Sequence, residues 1–287
     1  MSSQESSVYE SRVLLSGLAY VESPRWHDGR LWFAHWGADE IVAVDLDGTS
    51  EVVGHGPPGF GWSIGWLPDG RLLVTGLGLM RREFDGSMVP HAELSGLSGD
   101  WNEIVVDGRG NIYVNGRCEF DPGEGDPPGI IALVAPDGSV HQVADAIAFP
   151  NGMAITPDNS TLIVAESYAN RLTAFDIAAD GGLSNRRVWA ELGDGVPDGI
   201  CLDADHAVWY ADVPNQHCVR VREGGAVLQT IDLDRGCFAC ALGGEDGRTL
   251  FMTAAEWRGI EEVDEAIASR TGQVLTVRAP APHAGWP

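Results

Sequence analysis

The sequence predicts an all-β fold, a six-bladed β-propeller with four-stranded antiparallel blades. Three observations predict it: an apolar triplet that returns six times, a turn of the Asp-Gly kind ahead of each triplet, and no sustained helical periodicity. The triplets are Leu31-Trp32-Phe33, Leu72-Leu73-Val74, Ile112-Tyr113-Val114, Leu162-Ile163-Val164, Val208-Trp209-Tyr210 and Leu250-Phe251-Met252, beginning 41, 40, 50, 46 and 42 residues apart. A period near forty with several strands per repeat marks a radial propeller, because one blade alone cannot bury both faces and stacking around a ring does.

Each repeat reads as an antiparallel meander. The turns Asp28-Gly29, Asp69-Gly70, Asp107-Gly108, Asp158-Asn159, Asp203 to Asp205 and Asp246-Gly247 offer residues that tolerate the positive φ of a hairpin. The strands before them, which line the central channel, are Tyr20 to His27, Phe60 to Leu67, Asp100 to Val106, Phe149 to Thr156, Val196 to Leu202 and Cys237 to Gly243. A third strand follows each triplet: Glu40 to Leu46, Leu79 to Phe84, Gly129 to Val134, Arg171 to Ile177, Cys218 to Arg222 and Gly272 to Val277. An N-terminal strand, about residues 11–15, is expected to close the ring on the last blade, since open first and last blades would leave edges that invite aggregation. The only helical candidate, Gly259 to Ser269, is short and acidic. The repeat contains no linker, so residues 1–287 read as a single domain.

The net charge of −24, from 42 acidic and 18 basic residues, repels phosphate backbones and anionic headgroups. Nucleic acid and membrane surfaces are thereby excluded as expected partners. The acid either serves solubility or converges in part on a cation. Cys118, Cys201, Cys218, Cys237 and Cys240 are odd in number and scattered through apolar strands, which reads as free buried thiols, and the Cys237/Cys240 spacing lacks a second pair or an adjacent His. Residues 1–12 are rich in Ser and Glu without an apolar run, and no stretch approaches the ~20 apolar residues of a membrane span, so a cytoplasmic location is expected.

Counting back nine to eleven residues from each triplet reaches Glu22, Ser63, Asn102, Asn151, Asp198 and Cys240. Quasi-symmetry places equivalent residues around one axis, so two carboxylates and two amides face one another at one mouth of the channel. Hard oxygen donors of this kind suit Ca2+, with Mg2+ or Mn2+ as substitutes. Taken singly, Asn151-Gly152 and Asp198-Gly199 are ordinary turn pairs, and Glu22-Ser23-Pro24 reads equally as a strand bend. Their shared register favours a site. Trp26, Trp36, Trp62, Trp66 and Trp101 cluster around the first three inner strands, with Phe60 and Pro57-Pro58 nearby. They form either inter-blade core or an aromatic mouth suited to apolar or aromatic ligands.

Glu22-Ser-Pro-Arg-Trp26, Asn102 with Val106-Asp-Gly108, Asn151-Gly-Met153, Leu183-Ser-Asn-Arg-Arg187 and Val196-Pro-Asp-Gly-Ile-Cys201 together resemble the SMP-30/gluconolactonase (regucalcin-like) family. The resemblance implies a six-bladed propeller with one divalent metal ion, Ca2+ first and Mg2+, Mn2+ or Zn2+ as alternatives. It maps the metal ligands to Glu22, Asn151 and Asp198, makes Asn102 a fourth ligand or a substrate contact, and gives Asp198 the catalytic proton transfer. Substrate-facing positions are then Asn102, Asp100, Glu119, Trp101, Trp62 and His35. Members acting on sugar-type substrates carry Arg where this chain has Asp100, which inverts the local charge and removes a five-donor fork. Two positions where the family commonly has Asp are here His35 and Glu166, and the imidazole of His35 is a candidate proton shuttle.

These residues imply a metal-dependent lactonase: a cation-polarised carbonyl, Asp198 as base toward water, and no Gly-x-Ser-x-Gly nucleophile elbow. An esterase or phosphotriesterase on the same site is the alternative. A strictosidine-synthase-like propeller would not need the oxygen quartet, and a non-enzymatic interaction propeller would favour patches on one rim over converging ligands. The expected partner is a small lactone or ester.

Overall fold

The computed structural model describes residues 11–76, 78–97, 100–117 and 128–285. Its strands form six four-stranded antiparallel sheets arranged as a six-bladed propeller. The inner strands are Val21–His27, Ile64–Trp66, Asp100–Val106, Pro150–Ile155, Pro197–Leu202 and Gly236–Gly243, each paired to the strand that holds its blade's triplet. They neighbour one another in sequence order, and the sixth returns to the first. A short helix, Val263–Ser269, lies in the final blade's long connection.

The hairpins at the base of the blades are of two kinds. In blade one, Asp28 (φ 48°) and Gly29 (φ 77°) form a two-residue turn with both residues left-handed. Elsewhere the positive φ comes later, at Gly70, Gly110, Asn159, His206 and Gly247. This corrects the expectation for blades three and five, where Gly108 and the Asp203 to Asp205 stretch were expected to supply it. The leading Asp instead accepts a backbone N–H two residues on, as Asp107 does from Arg109 at 2.9 Å and Asp203 from Asp205 at 2.9 Å. The outer hairpins repeat the device at Asp47, Asp85, Asp137 and Asp180. Much of the excess acid is therefore turn chemistry at the base of the ring.

Because each sheet is apolar on both faces, the core is a series of layers between blades. One layer joins Leu73 and Leu79 to Trp101, Ile104 and Val114, and another joins Ile163, Leu172 and Trp189 to Ile200, Val208 and Tyr210. The ring is closed by Arg12–Leu18, which pairs with Gly272–Arg278 at the outer edge of the sixth blade, Arg12 opposite Thr276 and Leu18 opposite Gly272. Leu14, Leu15 and Leu18 pack against a layer containing Val21, Phe33 and Phe251. Deleting residues 1–18 exposes that layer and an unpaired edge, and is expected to lower the melting temperature by on the order of 10 °C in calorimetry. An unchanged melt would count against closure as a source of stability.

Candidate active site

The site begins with irregularities in the strands. Five inner strands carry a register shift against their neighbour. In blade three the pairs Trp101/Gly116 and Ile104/Val114 leave Asn102 and Glu103 between them. In blade four Asn151 and Gly152 lie between Pro150/Glu166 and Met153/Val164, and in blade five Asp198 and Gly199 lie between Pro197/Asp212 and Ile200/Tyr210. Blade one shifts just after Glu22, which pairs with Ala34. A bulge bends the strand and re-aims side chains, and here bulges fall on or beside each candidate ligand. In blade six the shift lies between Cys237 and Ala239, so Cys240 pairs with Met252 and joins the core beside Trp209 and Leu242.

The glycines after Asn151 and Asp198 are not turn residues. A Cβ on Gly152 would come within 2.5 Å of the Ile200 nitrogen and 2.7 Å of the Asp198 carbonyl oxygen, and one on Gly199 within 2.4 Å of the Ala239 Cβ. They let successive inner strands approach closely. Small polar side chains then tie each bulge to the next blade. The Ser23 hydroxyl accepts from Ile64 N–H at 3.0 Å, and those of Ser63 and Thr75 donate to the Asn102 carbonyl at 2.9 and 2.7 Å. The Asn115 amide donates to the Asn151 carbonyl at 2.6 Å, and the Ser167 hydroxyl to the Pro197 carbonyl at 2.7 Å. Ser63 thus serves the scaffold. The sequence reading missed Thr75 and Asn115, although each directly follows a triplet.

The charge of Glu103 lies close enough to Glu22 and Asp198 to raise the cost of ionising both. Burial pushes the Glu22 carboxyl well above its usual range, and the charges of Asp198 and Glu103 add to this, while the Ser23 N–H at 2.8 Å and the Arg25 guanidinium oppose it. Asp198 is also pushed well up, by burial first and then by Glu103 and Asp212, against a hydrogen bond from Asn151. Glu103, the carboxylate next to predicted Asn102, was missed by the sequence reading. It pairs with Arg25 at 3.0 Å, with only 6% and 11% of the two side chains exposed. The guanidinium also donates to the carbonyls of Pro24 at 3.0 Å and Ile104 at 3.1 Å.

Three carboxylates and one guanidinium therefore share this region, leaving two negative charges when all are ionised. Neither Glu22 nor Asp198 has a salt-bridge partner among the described residues. A divalent cation fits the chemistry: it would balance those two charges and meet oxygen donors from Glu22, Asn151 and Asp198. Among the described residues no three His, Cys, Asp or Glu side chains converge closely enough to hold a metal by themselves.

Of the other predicted residues, His35 is 3% exposed, accepts the Ala19 N–H on Nε2 at 2.9 Å and meets Glu40 through Nδ1 at 3.1 Å. Its pKa is lowered by burial, against the pull of Glu40. Glu166 does the same for Ala148 N–H and Asp212 for Val196 N–H, both at 2.9 Å. All three pin the chain just before an inner strand, so His35 and Glu166 are engaged in scaffold bonds. Trp62 and Trp101, 0% and 1% exposed, lie in inter-blade layers and offer no surface to a ligand, because alternation turns the neighbour of a channel residue into the core. Asp100 is exposed at the mouth. Glu119 lies outside the described residues.

The aromatic lining comes from other residues. Tyr20, two before Glu22, meets the ring edges of Phe60, Phe238 and Trp257 at 5.5, 5.3 and 5.9 Å between centroids. Phe149, two before Asn151, stacks on Tyr168 at 4.4 Å. Burial pushes the Tyr20 hydroxyl up to about 12, so it remains a donor at neutral pH.

Comparison with known proteins adds to this geometry. Residues 20–256 match the model of the SMP-30/gluconolactonase/LRE-like region. Regucalcin of Danio rerio is 30% identical over 160 residues, 54% of each chain, so the chain spans about half the length of that relative. Pentonolactonase XacC of Haloferax volcanii is 26% identical over 217 residues, 72% of each chain. Among solved structures, a calcium-binding regucalcin from Agrobacterium tumefaciens superposes with a TM-score of 0.78 over 96% of this chain and 95% of that one, at 23% identity. No helix among the described residues is long and apolar enough to cross a membrane.

Proposed function

The chain belongs to the SMP-30/gluconolactonase/LRE-like family, and from that premise we propose that it is a metal-dependent lactonase whose reaction centre is the channel mouth around Glu22 and Asp198. The observation that carries the reading is the pairing of a buried Glu22 with a partly buried Asp198, both pushed well above their usual range and neither with a salt-bridge partner among the described residues. Such an arrangement is costly unless a cation completes it. Glu22, Asn151 and Asp198 would hold one divalent ion, Ca2+ first with Mg2+, Mn2+ or Zn2+ as alternatives, and Asn102 would be a fourth donor or a substrate contact. When bound, that ion supplies Lewis acidity toward the lactone carbonyl.

Asp198 takes a proton from the attacking water as the oxygen adds to the carbonyl carbon, and returns it to the ring oxygen when the acyl C–O bond breaks. The nearby Asn151 amide favours the ionised form of that carboxylate, opposing its burial. Glu22 contributes a second negative charge, and Arg25 offsets part of the charge of Glu103. The Tyr20, Phe60, Phe238 and Trp257 cluster, with Asp100 where sugar-type members carry Arg, supports a preference for apolar or aromatic lactones. The small-molecule substrate, a soluble cytoplasmic setting and the absence of nucleic-acid or membrane partners belong to the same proposal.

The test pairs metal analysis with a substrate panel. Chelation is expected to lower lactone turnover by at least ~100-fold, Ca2+ to restore it, and kcat/KM to be higher for dihydrocoumarin than for gluconolactone. Full activity after exhaustive chelation would overturn the metal mechanism. Faster turnover of phosphotriesters or simple aryl esters than of any lactone would shift the reading to the alternative hydrolase.

A further inference from the structure

Tyr20 combines three unusual properties. It is 3% exposed, its hydroxyl is buried with no hydrogen-bond partner among the described residues, and its φ of 49° is left-handed, a region that non-glycine residues avoid. An unpaired buried hydroxyl destabilises the fold, and the left-handed backbone adds strain. Two of the three rings around it are themselves partly open: Phe60 is 41% and Trp257 38% exposed, whereas Phe238 is 7% exposed.

Phe60 is mounted to move. It sits between Gly59 (φ 93°) and Gly61 (φ 77°), and neither glycine has a neighbour within 4 Å of where a Cβ would lie. Gly59 is anchored on both sides, its N–H donating to Asp39 Oδ1 at 3.1 Å and its carbonyl accepting from Trp62 Nε1 at 3.1 Å. With Phe60 41% exposed, an outward rotation of its ring would give up two edge-type contacts, to Tyr20 and to Trp36 at 5.6 Å. The space it leaves is bounded by the Tyr20 edge, the Phe238 and Trp257 rings, and the start of the strand that carries Glu22.

We propose that this space is the subsite for an aromatic ring of the substrate, that Phe60 is its gate, and that Tyr20 is a specificity-determining residue whose hydroxyl bonds an oxygen substituent on that ring. An incoming ring replaces the edge contacts that Phe60 gives up, and an oxygen on it supplies the partner that Tyr20 lacks. The favoured ligands are thus oxygenated aryl lactones or esters. Only the identity of the reacting bond rests on the lactonase reading; the subsite stands on the geometry of the four rings.

The experiment separates the two. Binding of 3,4-dihydroquinolin-2-one, a lactam that is not turned over, and of its ring-hydroxylated derivatives is followed by calorimetry, alongside turnover of dihydrocoumarin, its ring-hydroxylated derivatives and δ-valerolactone. In the wild type at least one hydroxylated lactam is expected to bind about tenfold tighter than the parent. Tyr20→Phe is expected to erase that advantage and to keep or raise the melting temperature because an orphan hydroxyl is removed. Phe60→Ala should weaken discrimination between aryl and aliphatic lactones. The proposal is overturned if no lactam binds, if Tyr20→Phe preserves the hydroxyl advantage, or if Tyr20→Phe melts clearly lower, which would mean that the hydroxyl already has a structural partner. Tyr20-dependent lactam binding without hydrolysis of any lactone would uphold the subsite and overturn the lactonase reading alone.

Discussion

Asp198→Asn is expected to lower kcat on the best lactone by about 10²- to 10⁴-fold while raising the melting temperature of the metal-free protein at neutral pH. Both effects come from the same burial. A carboxyl whose folded-state pKa is raised penalises folding as soon as the pH exceeds its unfolded value near ~3.9, and the penalty grows until the pH passes the folded value. Asp198 is in that position, through burial and the nearby charges of Glu103 and Asp212. Asparagine keeps the shape and removes the charge. The stability gain should therefore be present at pH 7 and vanish below the unfolded value. Kinetics on the metal-loaded variant and melts of the chelated one at several pH values check this. Retained activity, or a metal-free variant that melts lower at pH 7, would show that the carboxylate has another role.

Arg25→Met is expected to cost about 3–5 kcal/mol of folding free energy, because it strands Glu103 as a buried unpaired charge. Glu103 is 6% exposed on its side chain, and Arg25 is its salt-bridge partner in the structure. The same substitution also removes the charge that offsets Glu22. The double variant Arg25→Met with Glu103→Gln should recover most of the loss, since neither side then carries an uncompensated charge. Urea unfolding of the two single variants and the double gives the coupling directly. A single variant within ~1 kcal/mol of wild type would mean that water solvates the channel well enough to make the pair dispensable.

The blade architecture was legible because it rests on local periodicity. A triplet buried on both faces and an Asp turn recur wherever a second strand begins, and those signals need no long-range knowledge. The site was legible only in part. Glu22, Asn102, Asn151 and Asp198 share a register because bulges recur at one level of the ring, yet a bulge also breaks simple alternation. Glu103, one residue beyond Asn102, therefore joins the same charge cluster unannounced. A clue was present in the sequence: Arg25 is the one Lys or Arg in the six inner strands, and a cation there calls for a carboxylate from a neighbouring strand. His35 and the tryptophans misled for a related reason. Residue type shows that a side chain can bind a ligand, whereas its actual partner, Ala19 N–H for His35 or an inter-blade layer for Trp62, depends on segments distant in the chain.

The strand that closes the ring also sets a timetable for making the molecule. Thr276 Oγ1 donates to the Arg12 carbonyl across a separation of 264 residues. At a synthesis rate of about 5–20 residues per second, the closing strand waits on the order of 10–50 s for its partner. During that wait Leu14, Leu15 and Leu18 lack the layer against which they finally pack. Blades one to five can assemble on nearest-neighbour contacts as they emerge, but the sixth cannot be completed until the closing strand meets the much later-made strand Gly272–Arg278. Birth order and docking order are thus inverted at this one seam, and non-local pairing of this kind is the slow step in building a β-rich ring.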